Sequence, residues 1–348
     1  KHLQPSILGV KMSDRTYCLD DININTNNKG SDSYLDIDAP FVNLHTRGQY
    51  DLGTLYSSIQ NIVADKLPTL PGIKKTKKRG DNDFTLQGNV YSTEILQRIF
   101  GIQLDISSPI HINGNLSEQN EELNLFVNAP LFSYNGKPFH NGYIEVTTQG
   151  KELCMDAHVC QGLSFEMAPE YALRAKACDN VLNTKVNYDN HSKKLPVKGF
   201  LDAETQFGKN EHGMTSINMN VKPSHIMLGD TRWDVISSNI NYVKNHLSVD
   251  NFTVKHDNQH IIVNGKASPS PEDSIVADLK DVDVAYILNL VNFHSVDFAG
   301  KATGKAIVKS LFNQPDAYAK LDINDFLFEN GPLGVLHAFV NYNKVDEQ

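Results

Sequence analysis

The chain has 348 residues, of which 40% are hydrophobic and 21% are charged, a composition typical of a folded protein and not of a disordered one. Its net charge of −9 argues against nucleic acid as a main partner, because binding phosphates requires a basic surface. No apolar run approaches the ~18 residues of a membrane-spanning helix, and no signal peptide begins at Lys1. We expect the chain to be an internal fragment of a longer protein, since its residue pattern is already under way at both ends.

Apolar and polar residues alternate along most of the chain. The first clear alternation runs over 35–41, and the pattern returns over 123–129 and 153–159. A period of two places apolar side chains on one face of a strand and polar side chains on the other. Turn signals such as Asn135-Gly136 and Asp257-Asn258 separate these runs every ~8–14 residues, which is typical of an antiparallel meander. The sequence therefore predicts an all-β fold of roughly 20 strands.

Three short segments have the apolar spacing of amphipathic helices. They cover 52–66, 95–100 and 287–293. The second and third are each followed by a predicted strand that contains glycine, at 111–114 and 302–305. We interpret this succession as an internal repeat of a strand, a short helix and a return strand.

The apolar strand faces are expected to join into one elongated antiparallel β-groove over residues 1–348. Approximate sub-repeats cover 1–80, 81–190 and 191–348. Because strands in a sheet lie ~4.8 Å apart, roughly 20 of them would form a trough about 100 Å long. The candidate lining side chains are those that the period of two places on the apolar face, namely Leu35, Ile37, Phe41, Leu123, Leu125, Val127, Leu153, Met155, Val159, Ile240, Tyr242, Leu247, Val249, Phe252, Val254, Leu321, Ile323, Phe326 and Phe328.

One predicted strand carries five potential metal ligands on a single face. Soft thiolates with imidazole would suit zinc or copper, and Cys178 is the one obvious further ligand on a neighbouring strand. A disulfide between two of Cys154, Cys160 and Cys178 in an oxidising compartment is a second interpretation. The simplest interpretation is the wet face of an amphipathic strand, so we predict no metal and no cofactor. The five residues are Glu152, Cys154, Asp156, His158 and Cys160.

Catalytic signatures are not found in the sequence. It has no Gly-x-Ser-x-Gly elbow, no phosphate-binding glycine loop and no His-Glu-x-x-His, so we predict a protein that is not an enzyme. Paired aspartates such as Asp281 and Asp283 are expected to keep wet faces soluble, and Trp233 is expected to anchor a core. The lysine run over 74–79 is expected to be a solvated connector, with a contact for anionic lipid headgroups as the alternative.

The C-terminal third resembles the repeating body of TamB proteins, translocation and assembly module subunits of the AsmA-like superfamily, in the form found in Bacteroidetes. The resemblance covers about residues 225–343, with a weaker match over roughly 81–116. It is carried by the motifs Leu228-Gly229-Asp230-Thr231-Arg232-Trp233-Asp234, Asn241-Tyr242, Val249-Asp250-Asn251-Phe252, Ile262-Val263-Asn264-Gly265-Lys266-Ala267-Ser268, Pro271-Glu272-Asp273, Val282-Asp283-Val284-Ala285-Tyr286-Ile287-Leu288, Gly300-Lys301-Ala302-Thr303-Gly304, Asp325-Phe326-Leu327-Phe328 and Gly331-Pro332-Leu333-Gly334.

This resemblance implies a periplasmic, cell-envelope location and a long β-groove, also called a β-taco. It implies that the apolar groove carries phospholipid acyl chains between inner and outer membrane and supports the assembly of outer-membrane proteins. The full-length parent would be anchored in the inner membrane by an N-terminal helix and would meet an Omp85-type (TamA-like) outer-membrane barrel.

Two other classes of function stay open on the sequence. The first is a chaperone-like scaffold that accepts strands of outer-membrane or secreted proteins by β-augmentation, without lipid transport. The second is a carbohydrate-active β-solenoid enzyme, which would show repeats of ~20–25 residues that the sequence does not have.

Overall fold

The computed structural model describes residues 2–3, 9–12, 15–18, 22–28, 30, 33–78, 80–94, 97, 101–164, 166–290, 298–329 and 331–343. Contacts divide the chain into two compact units, residues 1–180 (unit 1) and 181–348 (unit 2). The division lies close to the expected sub-repeat boundary at 190, whereas the expected boundary at 80 lies inside unit 1.

Unit 1 contains thirteen of the described strands. They are β1 (His2–Leu3), β2 (Gly9–Met12), β3 (Arg15–Cys18), β4 (Asn23–Asn27), β5 (Tyr34–Ala39), β6 (Val42–Gln49), β7 (Asp83–Val90), β8 (Leu104–Ile106), β9 (Ile110–Ser117), β10 (Glu122–Tyr134), β11 (Lys137–Gln149), β12 (Glu152–Gln161) and β13 (Glu170–Cys178). Strands β4 to β7 pair in sequence, β7 pairs with β9, and β9 to β13 continue in sequence. Strand β1 pairs with β4, β8 pairs with the far half of β10, and β2 and β3 form a separate hairpin.

Unit 2 contains eleven of the described strands. They are β14 (Val181–Asp189), β15 (Val197–Lys209), β16 (Thr215–Leu228), β17 (Thr231–Ile236), β18 (Ser238–Val243), β19 (His246–His256), β20 (Gln259–Ala267), β21 (Ser274–Asp283), β22 (Phe298–Lys309), β23 (Asp316–Phe328) and β24 (Gly331–Asn343). The short strands β17 and β18 lie end to end between β16 and β19, and every other pairing joins consecutive strands.

All of these pairings are antiparallel, and they confirm the predicted all-β fold and its meander. The sequence favours this arrangement because its turns contain residues that tolerate left-handed backbone, such as Asn135-Gly136 in the β10–β11 turn and Asn245 in the β18–β19 turn.

Bulges interrupt several strand pairs, and most of them have a residue in the left-handed region. Asn141, Asn251, Asp281, Gly300 and Asp325 all have positive φ and lie where the register shifts. A bulge adds an unpaired residue, bends its strand and increases the local twist. Long strands such as β22 and β23 are therefore bent partway along their length.

Helix α1 (Leu55–Lys66) connects β6 to β7 and lies across the strand ends of unit 1. It begins three residues later than predicted, because Asp51 organises a turn first: the amides of Thr54 and Leu55 both donate to its carbonyl oxygen at 3.0 Å. At the other end of the helix, the amide of Asn180 donates to the carbonyl of Lys66 at 2.8 Å. The helix therefore reaches from the start of β7 to the end of β13.

A buried carboxylate links the buried side of α1 to neighbouring segments of unit 1. Glu118 is 7% exposed, and its Oε2 accepts from the Ser58 hydroxyl at 3.0 Å, the Gly80 amide at 3.1 Å and the Asn82 amide at 3.3 Å. The Asn82 side chain, also buried, donates to Ser58 at 2.9 Å. This network ties the helix to the β9–β10 turn.

Replacing Glu118 by alanine is expected to lower the free energy of unfolding of unit 1 by about 2–4 kcal/mol, because two buried donors and the partly buried Gly80 amide lose their acceptor. Urea denaturation measures the loss. The matched control is Glu121→Ala, since Glu121 is exposed and only approaches Lys66 at 4.0 Å. A loss no larger than that of the control would show that Glu118 does not fasten the helix.

Helix α2 (Val284–Leu290) follows β21 and covers part of unit 2. It begins earlier than the predicted third helix, because Asp283 Oδ1 accepts from the Ala285 amide at 3.0 Å and so stabilises the first turn. Val284 lies in a buried cluster with Ala302, Ile323 and Phe326, against which Ile287 packs. The helix predicted at 95–100 lies largely outside the described residues. The proposed internal repeat includes this helix and therefore stays a prediction.

Candidate functional site

The strand registers place one apolar face across the paired strands of unit 1. In a sheet, directly paired residues lie on the same face, so the pairings can be followed from strand to strand. One row crosses from β5 to β13 through Ile37, Leu44, Gly88, Ile112, Val127, Ile144, Ala157 and Leu173. A second row crosses the same strands through Leu35, Thr46, Leu86, Gly114, Leu125, Val146, Met155 and Ala175. Most of these side chains are only partly buried.

The opposite face of unit 1 is polar and paired. Asp36 accepts from Arg47 Nη2 at 3.1 Å and contacts His45 Nδ1 at 2.9 Å. Further along, Asp156 accepts from the Tyr143 hydroxyl at 2.7 Å and from Arg174 Nε at 2.8 Å. The polar side chains of this face form hydrogen bonds with one another and with solvent. The aliphatic side chains of the apolar face cannot form hydrogen bonds with water.

The acid sensitivity of this polar face is expected to centre on Asp36. Hydrogen bonding from Arg47, opposed by burial and assisted by His45, holds the pKa of Asp36 below its ordinary value of 3.8. The contribution of ionised Asp36 to the stability of the fold is therefore fully present above the unfolded-state pKa of this carboxyl. It is lost as the pH falls through the lower folded-state pKa. Arg47→Gln should raise the pKa of Asp36 toward 3.8 in a carboxyl NMR titration, and Arg174→Gln should leave it unchanged. An unmoved Asp36 titration in the Arg47 variant would contradict this assignment.

Unit 2 has an apolar face of the same kind. One row crosses from β14 to β23 through Leu182, Thr205, Met219, Ile240, Val249, Gly265, Ile275, Val308 and Ala317. Another crosses from β17 to β24 through Val235, Val254, Ile261, Leu279, Gly304, Leu321 and Ala338.

The sheet of unit 2 curls toward this apolar face. Strands β18 and β22 would lie ~19 Å apart in a flat sheet, being four spacings apart. The ring of Tyr242 in β18 is nevertheless 6.1 Å from the ring of Phe312 in the turn after β22. Trp233 of β17 shares a buried cluster with Leu279 and Val282 of β21, although two strands separate them. The apolar face of unit 2 is therefore concave, and we call it the trough.

Helix α2 closes one end of the trough. Tyr286 reaches the β16–β17 turn, since a Cβ added at Gly229 would lie 3.0 Å from its hydroxyl oxygen. Ile287 packs against both buried clusters, which makes this end a closed core. Beyond it the lining stays partly exposed, and we call this part the open section. Its side chains are Ile240, Tyr242, Phe252, Val263, Ile275 and Val308.

Most of the candidate lining residues lie on these two apolar surfaces. Those of β5, β10 and β12 share the apolar face of unit 1, and those of β18, β19 and β23 share the trough of unit 2. Ile323 and Phe326 lie in the buried cluster beneath α2 and are not in the open section. Phe41 is not on the strand face predicted for it, because Ala39 pairs with Val42 and leaves Phe41 in the two-residue turn.

Several lining residues were missed by the sequence prediction. Leu44, Leu86, Ile112 and Val146 occupy the same rows as the predicted residues of unit 1. Their alternation was readable in the sequence, for example Ile110 and Ile112 in β9, but glycines at 88 and 114 break the apolar pattern. Cross-strand pairing supplies the information that a single strand does not contain.

The five potential metal ligands of β12 lie on the polar face. The two carboxylates and the imidazole among them already have ionic or hydrogen-bonding partners within the protein. His158 Nε2 is 3.0 Å from Glu170, and Glu152 is 3.3 Å from Lys176 Nζ. No group of three metal-binding side chains occurs among the residues that the structure describes. Cys154, Cys160 and Cys178 are free thiols, and burial raises the pKa of Cys160.

Trp233 is 4% exposed and lies in the core with Leu279 and Val282, as predicted. It therefore offers no aromatic surface for a sugar.

Comparison with known proteins gave no match: no family model, no curated protein and no solved structure is significantly similar to this chain. Within the described ranges, the structure contains no helix of the length and apolar character required to cross a bilayer.

Proposed function

We propose that the apolar faces of the two units bind phospholipid acyl chains, and that the chain is a periplasmic section of a TamB-like envelope protein. In this proposal it carries phospholipid between the inner and outer membranes and supports outer-membrane protein assembly. The observation that carries the proposal is the succession of mostly apolar, mostly partly exposed residues from strand to strand of unit 1, with paired polar groups on the opposite face.

The free energy available to such a surface is large. Each methylene removed from water contributes ~0.8 kcal/mol, so a 16-carbon chain in water carries a penalty on the order of 12 kcal/mol. An acyl chain that lies on a partly exposed apolar row loses much of its contact with water. The apolar side chains of the row are shielded from water by the same contact. Leu125 and Val146 in unit 1, and Ile275 and Val308 in unit 2, are directly paired apolar residues suited to this contact.

The contacts in these rows are non-directional. Neighbouring positions along a row present similar aliphatic groups, so a bound chain would meet nearly equal free energies at successive strands. This property favours movement along the sheet over tight binding at one place, and it needs no catalytic residue. The barrel partner and the inner-membrane anchor belong to the full-length protein that the resemblance implies.

Mass spectrometry of the gently purified chain tests the proposal. We expect phospholipid to co-purify in at least about equimolar amount, as does a ligand whose concentration is well above its dissociation constant. Protein free of phospholipid, and unable to take up a fluorescent phospholipid added from solution, would overturn the proposal. Capture of unfolded outer-membrane protein by such lipid-free protein would support the β-augmentation scaffold instead.

A further inference from the structure

Helix α1 leaves large apolar side chains exposed. Its buried positions combine the polar residues Ser58 and Asn61 with the apolar residues Ile62 and Ala64. Its exposed side carries Tyr56, which is 73% exposed, and Ile59, which is 37% exposed, with Leu52 in the preceding turn 66% exposed. Tyr56 and Ile59 follow the i, i+3 spacing of one helical stripe, and Leu52 precedes them in the turn before the helix. We call these three side chains the α1 stripe.

A lysine-rich segment is held against the same helix. The Thr76 amide donates to Asn61 Oδ1 at 2.7 Å, Lys78 Nζ donates to the Gly53 carbonyl at 2.6 Å, and Lys75 forms an ion pair with Asp65. These contacts fix the segment alongside α1. Lys74 and Lys77 remain exposed, and within the described residues neither forms an ion pair or hydrogen bond.

We propose that the α1 stripe and Lys74 and Lys77 dock unit 1 onto a bilayer that contains anionic phospholipid. The proposal rests on the proposed function, since it names where lipid from a membrane would reach the apolar face. Two independent features favour a bilayer over a protein partner. An apolar helix stripe beside lysines is typical of helices that lie in the membrane interface, and tyrosine is enriched at that depth. The positive charge is local in a chain with a net charge of −9 and is complementary to an anionic leaflet.

The α1 stripe and the lysines would act on different parts of the lipid. Leu52, Tyr56 and Ile59 would enter the boundary between headgroups and acyl chains, whereas Lys74 and Lys77 would remain among the phosphates. Because α1 spans the strand ends from Asn82 to Asn180, a docked helix would bring that end of the apolar face close to the bilayer.

Vesicle co-sedimentation of the full chain tests the proposal. Wild-type protein should sediment with vesicles containing about 30 mol% phosphatidylglycerol and not with pure phosphatidylcholine. Lys74→Glu/Lys77→Glu and, separately, Leu52→Ser/Tyr56→Ser should each lower the partition coefficient at least about tenfold. The matched control is Lys209→Glu/Lys280→Glu, two exposed lysines of unit 2, which should leave binding near the wild-type level. Equal loss in the control, or no sedimentation of wild-type protein, would overturn the proposal.

Measuring co-purified phospholipid in the same samples separates the two proposals. Protein that carries phospholipid but ignores anionic vesicles would refute docking and leave the proposed function standing. Protein that binds the vesicles through Lys74 and Lys77 but never carries phospholipid would support docking and refute the proposed function.

Discussion

Replacing Leu125 and Val146 together by aspartate should lower the phospholipid carried by unit 1 at least about tenfold. The two residues pair directly across β10 and β11 on the apolar face, and both are partly exposed. A carboxylate brought against hydrocarbon without a partner costs at least about 2 kcal/mol, and each 1.4 kcal/mol corresponds to a factor of ten in binding. Uptake of a fluorescent phospholipid, measured by titration, gives the change in affinity.

The neighbouring residues of the same two strands provide the control. Phe126 and Thr147 lie on the polar face, so Phe126→Asp/Thr147→Asp introduces the same two charges one residue away on the opposite side of the sheet. This variant should bind phospholipid as the wild-type chain does, and circular dichroism should show that both variants are folded. Equal phospholipid binding by the two variants would mean that the apolar face is not the binding surface.

Replacing Gly304 by alanine should lower the free energy of unfolding of unit 2 by about 2–4 kcal/mol, a decrease in melting temperature of roughly 4–16 °C. A Cβ at this position would lie 2.1 Å from the carbonyl oxygen of Lys320, and the backbone has φ +150°. The clash is with backbone of the adjacent strand, so a side-chain rotation cannot relieve it. Calorimetry measures the melting temperature.

Gly213 separates the steric cost from the cost of the backbone conformation. It also has positive φ, at +72°, but an added Cβ would meet no atom within 4 Å. Gly213→Ala should therefore cost only about 1 kcal/mol. Equal losses at positions 213 and 304 would show that the close approach of the Lys320 backbone adds no steric cost at Gly304.

The all-β fold was predictable from the sequence because it is encoded locally. Alternation such as that of Leu123, Leu125 and Val127 determines which side chains share a face, and Asn135-Gly136 marks a turn. Both signals lie within a few residues of one another. The same locality explains why α2 was located to within a few residues. Its first turn was missed although Asp283, which stabilises it, is also a local signal.

The curvature and the closed end of the trough were not predictable in this way. They depend on contacts between strands that are distant in sequence, such as Tyr242 with Phe312 and Trp233 with Leu279. The amphipathic pattern assigned to 52–66 identified a helix and correctly included Ile62, which is buried, but Tyr56 of the same pattern is exposed. Glu118, more than fifty residues later, accepts from the Ser58 hydroxyl on the buried side, and the local pattern contains no signal of this contact.

Placing a photoreactive amino acid at each position from Leu123 to Ala129 of β10, one variant at a time, tests lipid binding by the apolar face most directly. After irradiation in the presence of phospholipid, mass spectrometry counts the lipid adducts at each position. We expect adducts at the alternate positions 123, 125, 127 and 129, which lie on the apolar face, and few at the positions between them. Adducts without this period of two, or none at any position, would contradict the claim that the apolar face holds lipid.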